Sequence, residues 1–180
     1  MKRQTIKRLT LTAVFAAIIS VASPITIPIG VVPVTLALLA IFLCGAMLPP
    51  SYAVTSVMVY IALGAVGLPV FSNFEGGFGK LVGYTGGFIW AYPLMVLIIS
   101  SFIKFFGERS VLSLSLGMLF SIVVCYATGA LWFSYVMNES FSYALKVCVY
   151  PFVPFDIFKA AAAVVLTLGL KRFGLPDREL

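Results

Sequence analysis

The chain has 180 residues, of which 62% are hydrophobic and 10% charged, with a formal net charge of +6. At a mean hydropathy of +1.12 it has too little polar surface to clothe a water-soluble globule, so lipid is the expected solvent. A crossing helix needs about 20 apolar residues, which leaves room for about six short spans and no separate soluble domain. Residues 1–180 are therefore expected to form one membrane-embedded unit.

The basic N-terminus, Met1 to Arg8, runs straight into an apolar segment with no small-residue cleavage site after it. It is read as the first transmembrane helix rather than as a secretory signal. Proline, glycine and charge punctuate the rest of the chain. Span one covers about Thr5 to Val21 and closes at Ser23-Pro24, before an uncharged turn with Pro28 and Gly30. Span two, about Pro33 to Leu48, stops at Pro49-Pro50, and span three covers about Tyr52 to Val66. The longest irregular stretch, Gly67 to Gly87, is rich in glycine and holds Pro69, Glu75 and Lys80. Span four runs from about Phe88 to Phe106 and span five from about Leu112 to Met137. A loop with Asn138, Glu139 and Lys146 leads to span six, about Pro154 to Leu170. The expected fold class is an all-α integral membrane protein, a bundle of six transmembrane helices.

Basic residues concentrate on the cytoplasmic side of a membrane protein. With six spans, Lys2, Arg3, Lys7, Arg8, Lys104, Arg109, Lys171, Arg172 and Arg178 share the side of both termini, while the opposite loops hold Lys80 and Lys146. Both termini are thus expected in the cytoplasm. Topology and interfacial phospholipid account for the net charge, and it gives no argument for nucleic-acid binding. Histidine is absent, and Cys44, Cys125 and Cys148 lie far apart in apolar stretches. No metal, haem or other cofactor is suggested, and buried inert thiols are expected.

Ionisable groups at membrane depth are expensive and default to functional candidates. Four qualify: Glu75, Lys80, Asp156 and Lys159. Pro151 and Pro154 precede Asp156, which places it in the first turn of span six, and Lys159 falls on the same face three residues on. One reading is a structural bridge in which Asp156 complements the helix dipole and pairs with Lys159. The other is a turn lining a cavity open to the outside, where the carboxylate accepts N–H donors and the ammonium answers a ligand oxygen.

Gly76-Gly77-Phe78-Gly79-Lys80 fails the phosphate-loop pattern at both ends, at Phe74 and at Leu81. Such glycines suit a long loop folded over a site as a lid, or a flexible connector, or close helix packing through Gly79, Gly83 and Gly87. Phe71, Phe74, Phe78, Tyr84 and Trp90 are candidates to pack a ring system, or to form an interfacial belt. Asn73 and Thr85 add neutral hydrogen-bonding groups. On span one, Ala13 and Ala17 lie four apart on one face beside Ala16 and Ser20. Such a face suits close helix approach, to an internal neighbour, the favoured reading on spacing alone, or to another subunit.

Three segments carry a resemblance to a known family: Val32-Pro33-Val34-Thr35-Leu36; Gly64-Ala65-Val66-Gly67-Leu68-Pro69-Val70-Phe71 leading to Gly83-Tyr84-Thr85-Gly86-Gly87-Phe88; and Tyr150-Pro151-Phe152-Val153-Pro154-Phe155-Asp156-Ile157-Phe158-Lys159-Ala160-Ala161. In order, spacing and total length the chain resembles the BioY family, the substrate-capture (S) components of energy-coupling-factor (ECF) transporters for biotin. The resemblance implies a biotin pocket near the outer face, beneath the loop between spans one and two. It also implies a face on span one, matched by Ala13 and Ala17, that docks on a transmembrane coupling subunit working with ATPase subunits. Asp156 and Lys159 match residues associated with ligand binding, and Asn73 stands for the polar residue of the glycine-rich loop. With Lys80, Tyr84 and Thr85 these are the candidate ligand-binding residues. The chain departs from the pattern at Ala37, where a glutamine is usual, at Tyr84, where a proline is usual, and at Phe74-Glu75, where small or basic residues are common. Those departures bear on the ligand, for which lipoate is the competing choice. A membrane enzyme is the alternative from another class, with Asp156 and Lys159 its one plausible acid/base couple.

Overall fold

The computed structural model describes residues 2–28, 32–107 and 110–172, without the side chains of Lys2, Arg3 and Lys171. Met1, Gly30, Arg109 and Arg178 lie outside the described residues. The elements are α1 (Lys2–Ala22), β1 (Thr26–Ile27), β2 (Val34–Thr35), α2 (Ala37–Met47), α3 (Pro50–Ala65), a 3-10 turn (Ser72–Phe74), α4 (Phe78–Val82), α5 (Gly86–Phe106), α6 (Val111–Met137), α7 (Phe141–Cys148) and α8 (Val153–Arg172).

Each of the six expected spans contains a helix, but among the described residues four stretches are long and apolar enough to cross a membrane: Gln4–Ala22, Gly86–Phe106, Val111–Met137 and Val153–Leu170. The helices α2 and α3 are apolar but shorter, at 11 and 16 residues. Span two begins later than its apolar run suggests. Val34 and Thr35 give their backbone groups to an antiparallel hairpin, Thr26 opposite Thr35 and Ile27 opposite Val34, so the helix starts only at Ala37. The Thr35 hydroxyl accepts from the Ala37 N–H at 3.2 Å and occupies one of the donors a helix start leaves open. Ala37, where the resemblance leaves an amide missing, is fully buried at this junction.

Helix α5 sits at the centre, packed against α2, α3 and α6. Its Met95, Val96, Ile99 and Ile103 are fully buried. Polar side chains inside such a bundle need partners because hydrocarbon offers none. The Ser56 hydroxyl donates to the Thr12 carbonyl at 2.8 Å and joins α3 to α1. Ser23 and Tyr60 share a 2.7 Å hydroxyl–hydroxyl bond that ties the end of α1 to α3.

The glycine-rich stretch is folded rather than a loose connector. Gly77 N–H donates to the Gly64 carbonyl at 2.7 Å, and Phe71, fully buried, lies over Gly64 so closely that a Cβ there would come 2.1 Å from its ring. Two indole N–H groups pin α4 from neighbouring helices: Trp90 donates to the Leu81 carbonyl at 3.1 Å and Trp132 to the Gly83 carbonyl at 2.9 Å. The Leu81 carbonyl is one that the end of a short helix leaves open, whereas the Gly83 carbonyl, at the cap, also accepts from the Gly86 N–H at 2.9 Å. Of the three glycines considered for close packing, Gly87 serves it, against Trp132, whereas Gly79 faces open space.

Candidate functional site

The chain runs from Lys2 up α1 to the hairpin, and from Val153 down α8 to Arg172, so the hairpin, the glycine-rich stretch and the start of α8 meet at the end of the bundle away from Lys2 and Arg172. A cavity in two compartments lies there. Counted with the solvent-open space at its mouth, the inner one spans about 520 Å3 and the outer one, counted the same way, about 390 Å3. Pro33, Ser72 and Thr85 line both, so the two adjoin.

At the base of the inner compartment stands the first turn of α8. Asp156 is there because Pro154 enters the helix start without a wasted N–H, and the Asp156 N–H closes the turn on the Phe152 carbonyl at 2.9 Å. Asp156 and Lys159 are 3% and 7% exposed. Lys159 Nζ donates to Asp156 Oδ1 at 2.8 Å, and the Tyr126 hydroxyl on α6 donates to Asp156 Oδ2 at 2.7 Å. The structural bridge and the cavity wall read from the sequence are thus the same two residues. Each carboxylate oxygen keeps a lone pair, and the ammonium keeps further N–H donors. The site can present an anionic acceptor and a cationic donor side by side to a neutral polar ring.

The outer compartment gathers Asn73, Lys80, Tyr84 and Thr85 with Pro28, Pro33 and Ser72. Lys80 is ion-paired to Glu75, and its Nζ lies 6.0 Å from the Tyr84 ring centroid. Asn73 sits in a left-handed conformation, φ 61°, that its short polar side chain tolerates. It shares a 2.6 Å hydrogen bond with Thr26 of the hairpin, so the hairpin and the glycine-rich stretch are clasped over the cavity.

The six candidate ligand-binding residues therefore converge on one cavity, Thr85 on both compartments. Ala13 and Ala17 do not belong to it. Both are exposed along α1 while Ala16 beside them is buried, so internal packing, the favoured use of that face on spacing alone, is not what they do. Of the five aromatics read from the loop as a ring-packing group or an interfacial belt, Tyr84 alone lines the cavity, in the outer compartment. Phe71 is buried against Tyr60, Trp90 serves α4, and Phe74 and Phe78 are 70% and 64% exposed. The rings lining the inner compartment are Phe88, Tyr92, Tyr126 and Phe152. Tyr126 had a signal in the sequence, a phenol inside a 27-residue apolar helix that needs a partner for its O–H. Its partner 30 residues away did not. The three cysteines are buried, as expected, yet Cys125 and Cys148 also line the inner compartment. Among the described residues no group of three or more potential metal ligands comes together.

The sequence model of the BioY family matches residues 1–174. A protein of Pyrococcus horikoshii named as a probable biotin transporter BioY is 38% identical over 92% of this chain and 96% of its own length. The biotin transporter BioY2 of Lactococcus lactis subsp. cremoris is 37% identical over 96% of this chain and 94% of its own. Among solved structures, the S-component for biotin from an ECF-type ABC transporter superposes with a TM-score of 0.87, at 28% identity, over 96% of this chain and 94% of that one. Fold, apolar helices and relatives agree: this is a multi-pass protein of the cell membrane, built for transport rather than catalysis, and it belongs to the BioY family.

Proposed function

We propose that the chain is the biotin-binding S subunit of an ECF-type transporter, one membrane-embedded domain over residues 1–180 that captures biotin from outside for ATP-driven uptake. The observation that carries this reading is the Asp156–Lys159–Tyr126 cluster at the base of the inner compartment, in a chain whose relatives are named biotin transporters. Biotin offers ureido N–H donors and a ureido oxygen, an apolar thioether ring, and a carboxylate tail. Asp156 accepts a ureido N–H, Lys159 donates to the ureido oxygen, and Phe88, Tyr92 and Phe152 enclose the ring. The tail lies in the outer compartment with Asn73, Lys80, Tyr84 and Thr85. Burial argues for that direction. The inner pair is already neutral, and a carboxylate added to it would leave a net buried negative charge.

All six apolar helices, α1, α2, α3, α5, α6 and α8, cross the bilayer in this reading, with both termini cytoplasmic and the cavity outward. The placement of Lys7, Arg8, Lys104 and Arg172 at the end opposite the cavity supports it. The exposed alanine face of α1 meets the coupling subunit, which works with the ATPase subunits. Native mass spectrometry of protein purified from biotin-fed cells tests the assignment. Retention of one biotin per chain, undisplaced by equimolar lipoate, is expected; no retained biotin, or equal competition by lipoate, overturns it.

A further inference from the structure

Two lysines line the cavity, and the structure treats them differently. Lys159 is 7% exposed and its counter-ion Asp156 3% exposed; Asp156 also takes the Tyr126 hydroxyl, so the inner ion pair is buried and cross-tied. Lys80 has a partner of another kind. Its own side chain is 19% exposed and lines the outer compartment, but the side chain of Glu75 is 48% exposed and is not part of the cavity wall. The Glu75 backbone is held, its carbonyl accepting from the Phe71 N–H at 2.9 Å. Its carboxylate is held only by the salt bridge to Lys80 among the described residues, and solvent reaches the rest of it. A half-solvated ion pair of this sort is weak and is exchanged at little cost, because water replaces what the departing carboxylate loses.

We infer that Glu75 is an exchangeable counter-ion, which occupies Lys80 in the empty protein and gives it up to the carboxylate of the incoming ligand. The inference rests on the proposed biotin reading and adds a specificity-determining residue to it. An anionic tail displaces Glu75 into solvent and takes over the ammonium, with Asn73 and Thr85 as neighbouring hydrogen-bonding groups. Lys80 is never left uncompensated. A ligand with a neutral tail leaves the Lys80–Glu75 pair in place and gains nothing from the ammonium. Glu75 thereby lowers affinity for anionic ligands alone, since it competes with them, and it keeps the captured ligand releasable.

Calorimetry on the purified full chain, with biotin and with biotinamide as probes, tests this. Glu75→Gln is expected to tighten biotin about 2–5-fold, the range that an exposed ion pair sets when converted at about 1.4 kcal/mol per tenfold, and to leave biotinamide within about twofold of the unaltered protein. Lys80→Gln is expected to weaken biotin by about tenfold or more, having removed a charged donor, and the double variant should match Lys80→Gln alone. Biotinamide binding doubles as the check that each variant is folded. If biotin binds the unaltered chain but Glu75→Gln leaves its affinity unchanged, weakens it, or shifts both probes equally, the counter-ion role is wrong while the biotin reading stands. If the unaltered chain binds neither probe, both fall.

Discussion

Tyr126 and Lys159 hold opposite oxygens of one carboxylate. The hydroxyl donates to Asp156 Oδ2 at 2.7 Å and the ammonium to Oδ1 at 2.8 Å, so α6 and α8 are joined at the base of the cavity and the Asp156 rotamer is fixed from both sides. Asp156→Asn keeps the shape and removes the charge. Loss of a charged acceptor is expected to weaken biotin by about 1.5–3 kcal/mol, and calorimetry on monodisperse protein checks it. An unchanged affinity would remove Asp156 from the binding site.

Tyr126→Phe separates positioning from contact. The carboxylate keeps its charge and its lysine but loses one of two fixed donors. Biotin affinity should fall by less than in Asp156→Asn, and the thermal midpoint should fall as well, since a hydrogen bond to a charged group contributes about 1.5–3 kcal/mol. A fall in affinity as large as that of Asp156→Asn, with the midpoint unmoved, would instead make Tyr126 a direct ligand contact.

Much of this site was legible in the sequence because lipid narrows the options. A charged residue in an apolar helix announces itself; proline placement put Asp156 in the first turn of α8, and three-residue spacing put Lys159 on the same face, where they are. The features that were not legible came from tertiary packing. Phe71 and Phe88 are the same residue type and each packs over a glycine, Gly64 and Gly129, yet Phe88 also lines the cavity and Phe71 does not; composition cannot separate them. Likewise the apolar run after Pro33 looks helical from its first residue, and only the pairing of Val34 and Thr35 with β1 delays α2 to Ala37. Ala13 and Ala17 are spaced for close helix approach, but spacing does not reveal which side of a helix meets the bundle.

Gly64→Ala tests whether the folded glycine-rich stretch depends on that close approach. The new Cβ would fall 2.1 Å from the Phe71 ring, which is fully buried and has nowhere to move. Overpacking of this kind costs about 1–3 kcal/mol. Gly79→Ala, which meets nothing within 4 Å, is the control. The thermal midpoint of the first should fall and that of the second should stay. Equal midpoints would mean that the stretch is looser than its contacts suggest.

The proposed topology is checked by labelling single cysteines in a background lacking Cys44, Cys125 and Cys148. Glu139, between α6 and α7, and Lys104, in the last turn of α5, are both exposed and lie at opposite ends of the bundle. Glu139→Cys should react with an impermeant maleimide added to intact cells, and Lys104→Cys only after the membrane is opened. The reverse pattern would invert the orientation and put the cavity on the cytoplasmic side.

Ala13 and Ala17 are exposed on α1 and take no part in either compartment, so replacing both by Trp places bulk on the outside of the bundle. In lipid the two indoles should be tolerated, leaving the thermal midpoint and biotin affinity near those of the unaltered protein. Where a second helix must come close, small side chains are what permit it, and two indoles prevent it sterically. Uptake of labelled biotin by cells that co-express the coupling and ATPase subunits should therefore collapse while binding by the purified variant persists. Normal uptake would remove this face from the docking surface. A joint loss of binding, uptake and folded protein would mean instead that these alanines support the bundle itself, against their exposure.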